Sequence, residues 1–165
     1  MSPKAPLWHE YAESETGGWR KKWKGKLPIA LLFPNVYRVG MSNLGFQLVY
    51  DLTNRHPDLV CERFFLPDSD SGPLSIESGR PLRDFPLIFC SLSFEQDYLN
   101  LLHILRRGNI EPLAARRRAA SPSIAPGQPL LVGGGVATYI NPEPVAPFFD
   151  LLAIGEAEAV LPPLL

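Results

Sequence analysis

Short unbroken apolar runs, each closed by proline, glycine or asparagine, recur along the chain and are separated by stretches with helical spacing. Residues 27–33 form the first run and end at Pro34-Asn35. A segment apolar throughout, without polar alternation, predicts a strand buried on both faces of a parallel sheet. After a loop over 34–43, Leu44, Leu48, Val49 and Leu52 recur at helical spacing as far as Arg55-His56-Pro57, with Ser42 or Asn43 as N-cap. Residues 59–66 predict a second strand, turned sharply by the Pro-, Asp-, Ser- and Gly-rich stretch 67–73. A short extra element is expected in 74–84. Residues 85–92 predict a third strand, and 95–107 a helix with Tyr98, Leu99, Leu102 and Leu105 on one face, stopped by Gly108-Asn109. Residues 110–113 read as a strand-like return to the sheet. The stretch 114–129 carries Arg116-Arg117-Arg118 among small and turn-forming residues and predicts a mobile loop with solvated arginines. Residues 130–132 and 149–154 predict the fourth and fifth strands, running into Gly133-Gly134-Gly135 and Gly155-Glu156. Strands alternating with helices argue for an α/β domain with a doubly wound sheet and right-handed crossovers.

Composition narrows this picture. At 165 residues and 45% hydrophobic content the chain suits one compact domain that needs no disulfide or metal staple. Sixteen basic residues against seventeen acidic leave a net charge of −1, which removes any global attraction to nucleic acid or an anionic membrane. Residues 1–26 form an irregular N-terminal arm, with Trp8, Tyr11, Trp19 and Trp23 beside a basic cluster at Arg20, Lys21, Lys22, Lys24 and Lys26. A strap whose tryptophans pack on a domain surface is the expected role. Cys61 and Cys90 each lie inside an apolar run, as reduced core thiols do. Trp8, His9 and Glu10 interrupt the place where a secretory signal needs an apolar core, and no stretch of about 18 apolar residues exists. A soluble, cytoplasmic protein without a membrane partner is expected.

Three loops leave the carboxyl ends of the predicted strands, where ligands of such sheets bind. In the first, Gly40 and Gly45 allow close backbone approach, and Ser42 and Asn43 open a helix. The second carries Ser91 and Ser93, and the third Gly133, Gly134 and Gly135, which leave room either for a bulky flat ligand or for a tight turn. No catalytic residue or metal ligand is expected. Ser91 and Ser93 lack evident His and Asp partners, Asp68, Asp70 and Glu77 sit in a turn region, and no phosphate loop of the Gly-x-x-x-x-Gly-Lys-Ser/Thr type occurs.

Five motifs in order carry a resemblance over nearly the whole chain. They are the Pro34-Asn35-Val36-Tyr37-Arg38-Val39-Gly40-Met41-Ser42-Asn43-Leu44-Gly45 stretch, Pro81-Leu82-Arg83-Asp84-Phe85, Gly133-Gly134-Gly135, Asn141-Pro142-Glu143-Pro144 with Phe148-Phe149-Asp150, and Ile154-Gly155-Glu156-Ala157-Glu158. The chain resembles the N-terminal, cobalamin-binding-type region of a family of radical S-adenosylmethionine (SAM) proteins of poorly defined function. The resemblance implies a three-layer, flavodoxin-like sheet in the order 2-1-3-4-5 over residues 27–165. It implies cobalamin or substrate binding by Asn35, Tyr37, Gly40, Ser42, Asn43, Ser91, Ser93, Gly133, Gly134 and Gly135. Ordinary cobalamin domains place a histidine under cobalt from an Asp-x-His-x-x-Gly first loop. This first loop has Tyr37 and Gly40 and no histidine, while His9, His56 and His103 lie outside the ligand loops.

In that family a Cys-x-x-x-Cys-x-x-Cys motif after the Gly-Glu-x-Glu segment holds a four-iron four-sulfur cluster that binds SAM. Two separate cysteines cannot supply it. The resemblance therefore implies an excised domain of a longer enzyme, with Glu156 and Glu158 starting a helix toward a C-terminal radical SAM domain in cis. Two rivals stand beside this expectation: a degenerate domain that binds no cofactor and serves as a scaffold, and a self-contained enzyme or nucleotide-binding regulator. Nucleic acid is not an expected partner of this domain.

Overall fold

The computed structural model describes residues 7–67, 72–121 and 123–165. Asp68, Asp70 and the middle of the 67–73 turn lie outside the described residues. Among the described residues seven α-helices accompany five strands in the order α1 (Leu7–Ser14), β1 (Leu27–Leu32), α2 (Tyr37–Met41), α3 (Leu44–Arg55), β2 (Leu59–Phe64), β3 (Leu87–Ser91), α4 (Gln96–Arg107), α5 (Ala114–Ala120), β4 (Leu130–Gly134), α6 (Val136–Ile140), β5 (Leu151–Leu152) and α7 (Ala157–Leu164). Every strand pairing is parallel and the sheet order is β2-β1-β3-β4-β5, the expected flavodoxin-like topology.

Successive residues of a strand point to opposite faces, so each apolar run feeds two cores. Ala30, Leu32, Ile88, Cys90 and Leu131 pack under Leu101, Ile104 and Leu105 of α4. Ile29, Leu31, Phe89 and Val132 pack under Phe46 and Tyr50 of α3 and Leu161 of α7. That division places α3 and α7 together on one face. Asn43 caps α3 by accepting from the Phe46 N–H at 2.9 Å.

β2 stands at a sheet edge, yet all six of its residues are buried, Glu62 and Arg63 included. Edge strands need cover, and two segments supply it here. Leu74 and Pro81 form an antiparallel bridge, and the Ile76 N–H donates to the Arg63 carbonyl at 3.0 Å. The arm supplies the rest. Trp23 Nε1 donates to Glu62 at 2.6 Å, Trp8 sits over Gly79, and Arg63 pairs with Glu15 at 2.5 Å and with Glu77 at 2.7 Å.

Several expectations need correction or extension. The arm is not irregular throughout, because Trp8, Tyr11 and Ala12 pack on the core at helical spacing and fold α1. Glu77 does sit in a turn, as expected, but it is more than a turn acid, being the buried partner of Arg63. The stretch 110–113 forms no strand, since Ile110 is drawn under α4 instead. The start of the expected mobile loop is α5, and its Arg117 is fully buried. Arg117 donates to the carbonyls of Glu111, Pro112 and Phe148 and to Asp150 at 2.9 Å, so the guanidinium meets acceptors that no local sequence pattern reveals. β5 also proves shorter than 149–154, being preceded by a 3-10 turn at Ala146–Phe148. No helix among the described residues is long and apolar enough to cross a membrane.

Candidate functional site

A cavity of about 550 Å3 opens where the helical layer of α3 and α7 fails to close over the carboxyl ends of β1, β3 and β4. Its volume falls within the roughly 300–1,000 Å3 of sites that enclose small ligands. The sheet contributes the floor through Leu31, Phe89 and Val132; Val49 of α3 and Val160, Leu161 and Leu164 of α7 form the walls. The rim is polar at Asn43, Ser93, Tyr139 and Glu156. Glu156 is the one charged side chain among the lining residues, and no Lys, Arg or His lines the cavity.

Strand alternation decides what each glycine does. Gly134 shares a face with Val132, so its missing side chain lies on the cavity side, where an added Cβ would come no closer than 3.4 Å to the Ala153 carbonyl. Gly133 faces the other way, against Phe149 and Leu152, which a Cβ would meet at 2.9 Å. Gly135 has φ +102°, and a Cβ there would lie 2.5 Å from the Leu92 carbonyl oxygen. The triple glycine thus divides into one cavity position, one packing position and one turn position. Ser91 shares the face of Phe89 and points to the cavity side for the same reason.

Asn43 and Ser93 join two loops across the mouth, with Asn43 Nδ2 donating to Ser93 Oγ at 3.2 Å. Behind them Asp97, fully buried, accepts from the N–H groups of Ser93 (2.9 Å) and Phe94 (3.0 Å) and from Asn35 Nδ2 (3.0 Å). Asp97 therefore ties the loop after β1 to the loop after β3. Sequence reading overlooked it; its place in the first turn of α4 hints at a cap, but its bond to Asn35 spans 62 positions.

The structure brings together six of the ten expected residues, Asn43, Ser91, Ser93, Gly133, Gly134 and Gly135. Asn35, Tyr37, Gly40 and Ser42 stand apart from the cavity, because α2 folds their loop back onto the domain. Gly40 is a packing residue, as an added Cβ would meet Phe65 at 2.4 Å. Ser42 bonds the Val39 carbonyl. Tyr37 stacks on Tyr11 at 3.9 Å and donates to Glu15 at 2.5 Å. Burial and the Glu15 carboxylate push its phenol well up, so it stays a proton donor within the arm contact. Burial likewise pushes up the Cys90 thiol, which belongs to the opposite core cluster and offers no thiolate to the cavity.

The sequence pattern of the N-terminal domain of radical SAM proteins matches residues 45–165. The chain belongs to this family. A relative in Methanocaldococcus jannaschii, an uncharacterized protein, is 26% identical over 130 residues, which cover 79% of this chain and 24% of that protein. The chain thus spans about a quarter of the length of the curated relative it matches. No solved structure matches it significantly.

Proposed function

We propose that the chain is the ligand-holding N-terminal module of a radical SAM enzyme, with the cavity between α3 and α7 as the holding site. The observation that carries this reading is the coincidence of the cavity with the carboxyl ends of β1, β3 and β4, where Gly134 leaves a flat floor. Doubly wound sheets bind ligands at that end, beside the point where strand order reverses. Cluster and SAM belong to a C-terminal half of the enzyme, because Cys61 and Cys90 are buried on strands separated by β1 and form no cluster motif. Buried, unpaired thiols also suit a reducing cytoplasm.

Cobalamin is the cofactor this reading favours. The fit is one of shape: a cavity of about 550 Å3 with an apolar floor has room for a heterocyclic arm of the cofactor but not for a whole corrin. Cobalamin supplies alkyl-transfer or radical chemistry at cobalt. Gly134, Ser91, Ser93 and Asn43 are the residues that would hold such an arm, and α7 would exclude water from it. No histidine lines the site, so cobalt receives no imidazole from this domain.

The absent histidine also supports the second reading, a degenerate domain that serves as a scaffold. Titration of the protein with hydroxocobalamin and adenosylcobalamin, followed by visible absorbance and calorimetry, separates the two. Saturable binding that Gly134→Trp abolishes is the expected result. Failure of either form to bind overturns the cobalamin reading and leaves the scaffold. Sequencing of the gene tests the family context separately: three closely spaced cysteines are expected downstream of Leu165.

A further inference from the structure

Seven of the thirteen large apolar side chains that stand exposed among the described residues lie at one end of the sheet; of the other six, Leu164 lines the cavity and the rest lie elsewhere on the molecule. Val36 follows β1 and Phe94 follows β3. Val136, Tyr139 and Ile140 form the helical turn after β4, Ile154 follows β5, and Leu44 heads α3. Leu44 is 80% exposed, Ile140 76% and Tyr139 68%, so these side chains contribute little to this domain's own core. Val136 and Tyr139 also line the cavity, which makes this apolar crown continuous with the mouth. Single exposed apolar residues are ordinary, but a cluster rimmed by polar groups marks a contact surface.

Charge narrows the partner. On the loops and the helical turn that make this end, the acids Glu95, Glu143 and Glu156 outnumber the one base, Arg38. Phosphate-rich nucleic acid and anionic lipid are therefore poor occupants. An apolar protein surface with basic residues at its margin is the complementary one. The matching relative is about four times as long as the region it shares with this chain, and the family pattern is that of an N-terminal domain. We infer that the crown at the carboxyl end of the sheet is the docking face for the C-terminal radical SAM half of the same polypeptide, and that docking closes the cavity mouth. This rests on the reading of the chain as one module of a longer radical SAM enzyme.

Hydrogen exchange compares the chain alone with the complete gene product. Amides in 92–95 and 135–141 are expected to exchange about tenfold more slowly, or slower still, in the complete protein. Amides around Leu99 and Ile124, exposed elsewhere, serve as unchanged controls. The double variant Phe94→Glu/Ile140→Glu is expected to abolish the protection without shifting the melting temperature of the chain alone. Protection that is missing in the complete protein, or that appears in the chain alone as its concentration rises, overturns the proposal; the second outcome identifies a second copy as the occupant. A gene with the downstream cysteine motif but no protection refutes docking alone. A gene without that motif removes both readings.

Discussion

Gly133, Gly134 and Gly135 are identical in sequence and opposite in consequence. Gly134→Ala places a methyl group in ordinary contact with Ala153 on the cavity side and is expected to change stability by less than about 1 kcal/mol. Gly135→Ala is expected to cost about 3 kcal/mol or more, since it combines a left-handed backbone with a 2.5 Å approach to the Leu92 carbonyl. Urea unfolding of the two variants checks the contrast; equal losses would mean that the turn is not held as described. Titratable groups act on a second residue-level property. Burial pushes up the Cys61 and Cys90 thiols and the Tyr37 and Tyr50 phenols. All four hold their protons more tightly folded than unfolded, so unfolding releases protons and stability falls as pH rises past the ordinary values of 9.0 and 10.0. Each pH unit above the ordinary thiol value is expected to remove about 1.4 kcal/mol per buried thiol, measurable as a falling urea midpoint above about pH 9. A midpoint independent of alkaline pH would contradict the burial of Cys61 and Cys90.

Among the elements, α5 and the arm show how local pattern and tertiary partner divide the work. Arg116 is exposed and Arg117 is buried within the same basic run. Arg117→Ala is expected to cost about 3–5 kcal/mol, because it leaves three buried carbonyls without this donor and Asp150 with Arg118 as its one remaining cationic partner. Arg116→Ala is expected to stay within about 0.5 kcal/mol, and thermal melts of the pair decide it. Asp150 also accepts from the Leu131 N–H at 2.8 Å, so the loss spreads to the start of β4, the strand that carries the glycine turn. The arm works on the far edge. Without residues 7–26, Glu62 loses Trp23 and Arg63 loses Glu15, which exposes charged side chains and one flank of an edge strand. Removing the arm is therefore expected to produce concentration-dependent association in sedimentation, even though no described arm residue lines the cavity. A truncated chain that stays monomeric would show that the 72–81 segment protects β2 unaided.

For the molecule as a whole, the architecture was legible wherever burial on both faces wrote itself as continuous apolar sequence, as in β1 and β3. The order of the sheet followed from alternation of strands and helices together with the family resemblance. The site was legible where backbone demanded glycine, after β4. It was not legible where long-range partners decide: Asp97 reaches Asn35, Arg117 reaches Asp150, and Arg63 gathers two carboxylates from distant segments. The helix α7 was expected from Glu156 and Glu158, but its place against the cavity was hidden, since Pro162-Pro163 masks the helical spacing of Val160, Leu161 and Leu164. A cavity at this end has two possible origins, a built site or a packing defect between α3 and α7, and two substitutions tell them apart. Leu161→Ala removes the one buried side chain that α7 inserts, costs about 2–3 kcal/mol and enlarges the space. Gly134→Trp fills the space from the floor, and in a mere defect it should raise or preserve stability with no other effect. In a built site, Gly134→Trp abolishes cobalamin binding at unchanged stability, while Leu161→Ala keeps binding despite its lower melting temperature. Binding that instead tracks stability across both variants would mean that the cavity is only a gap in the packing, and that the apolar crown is the functional feature of this end of the sheet.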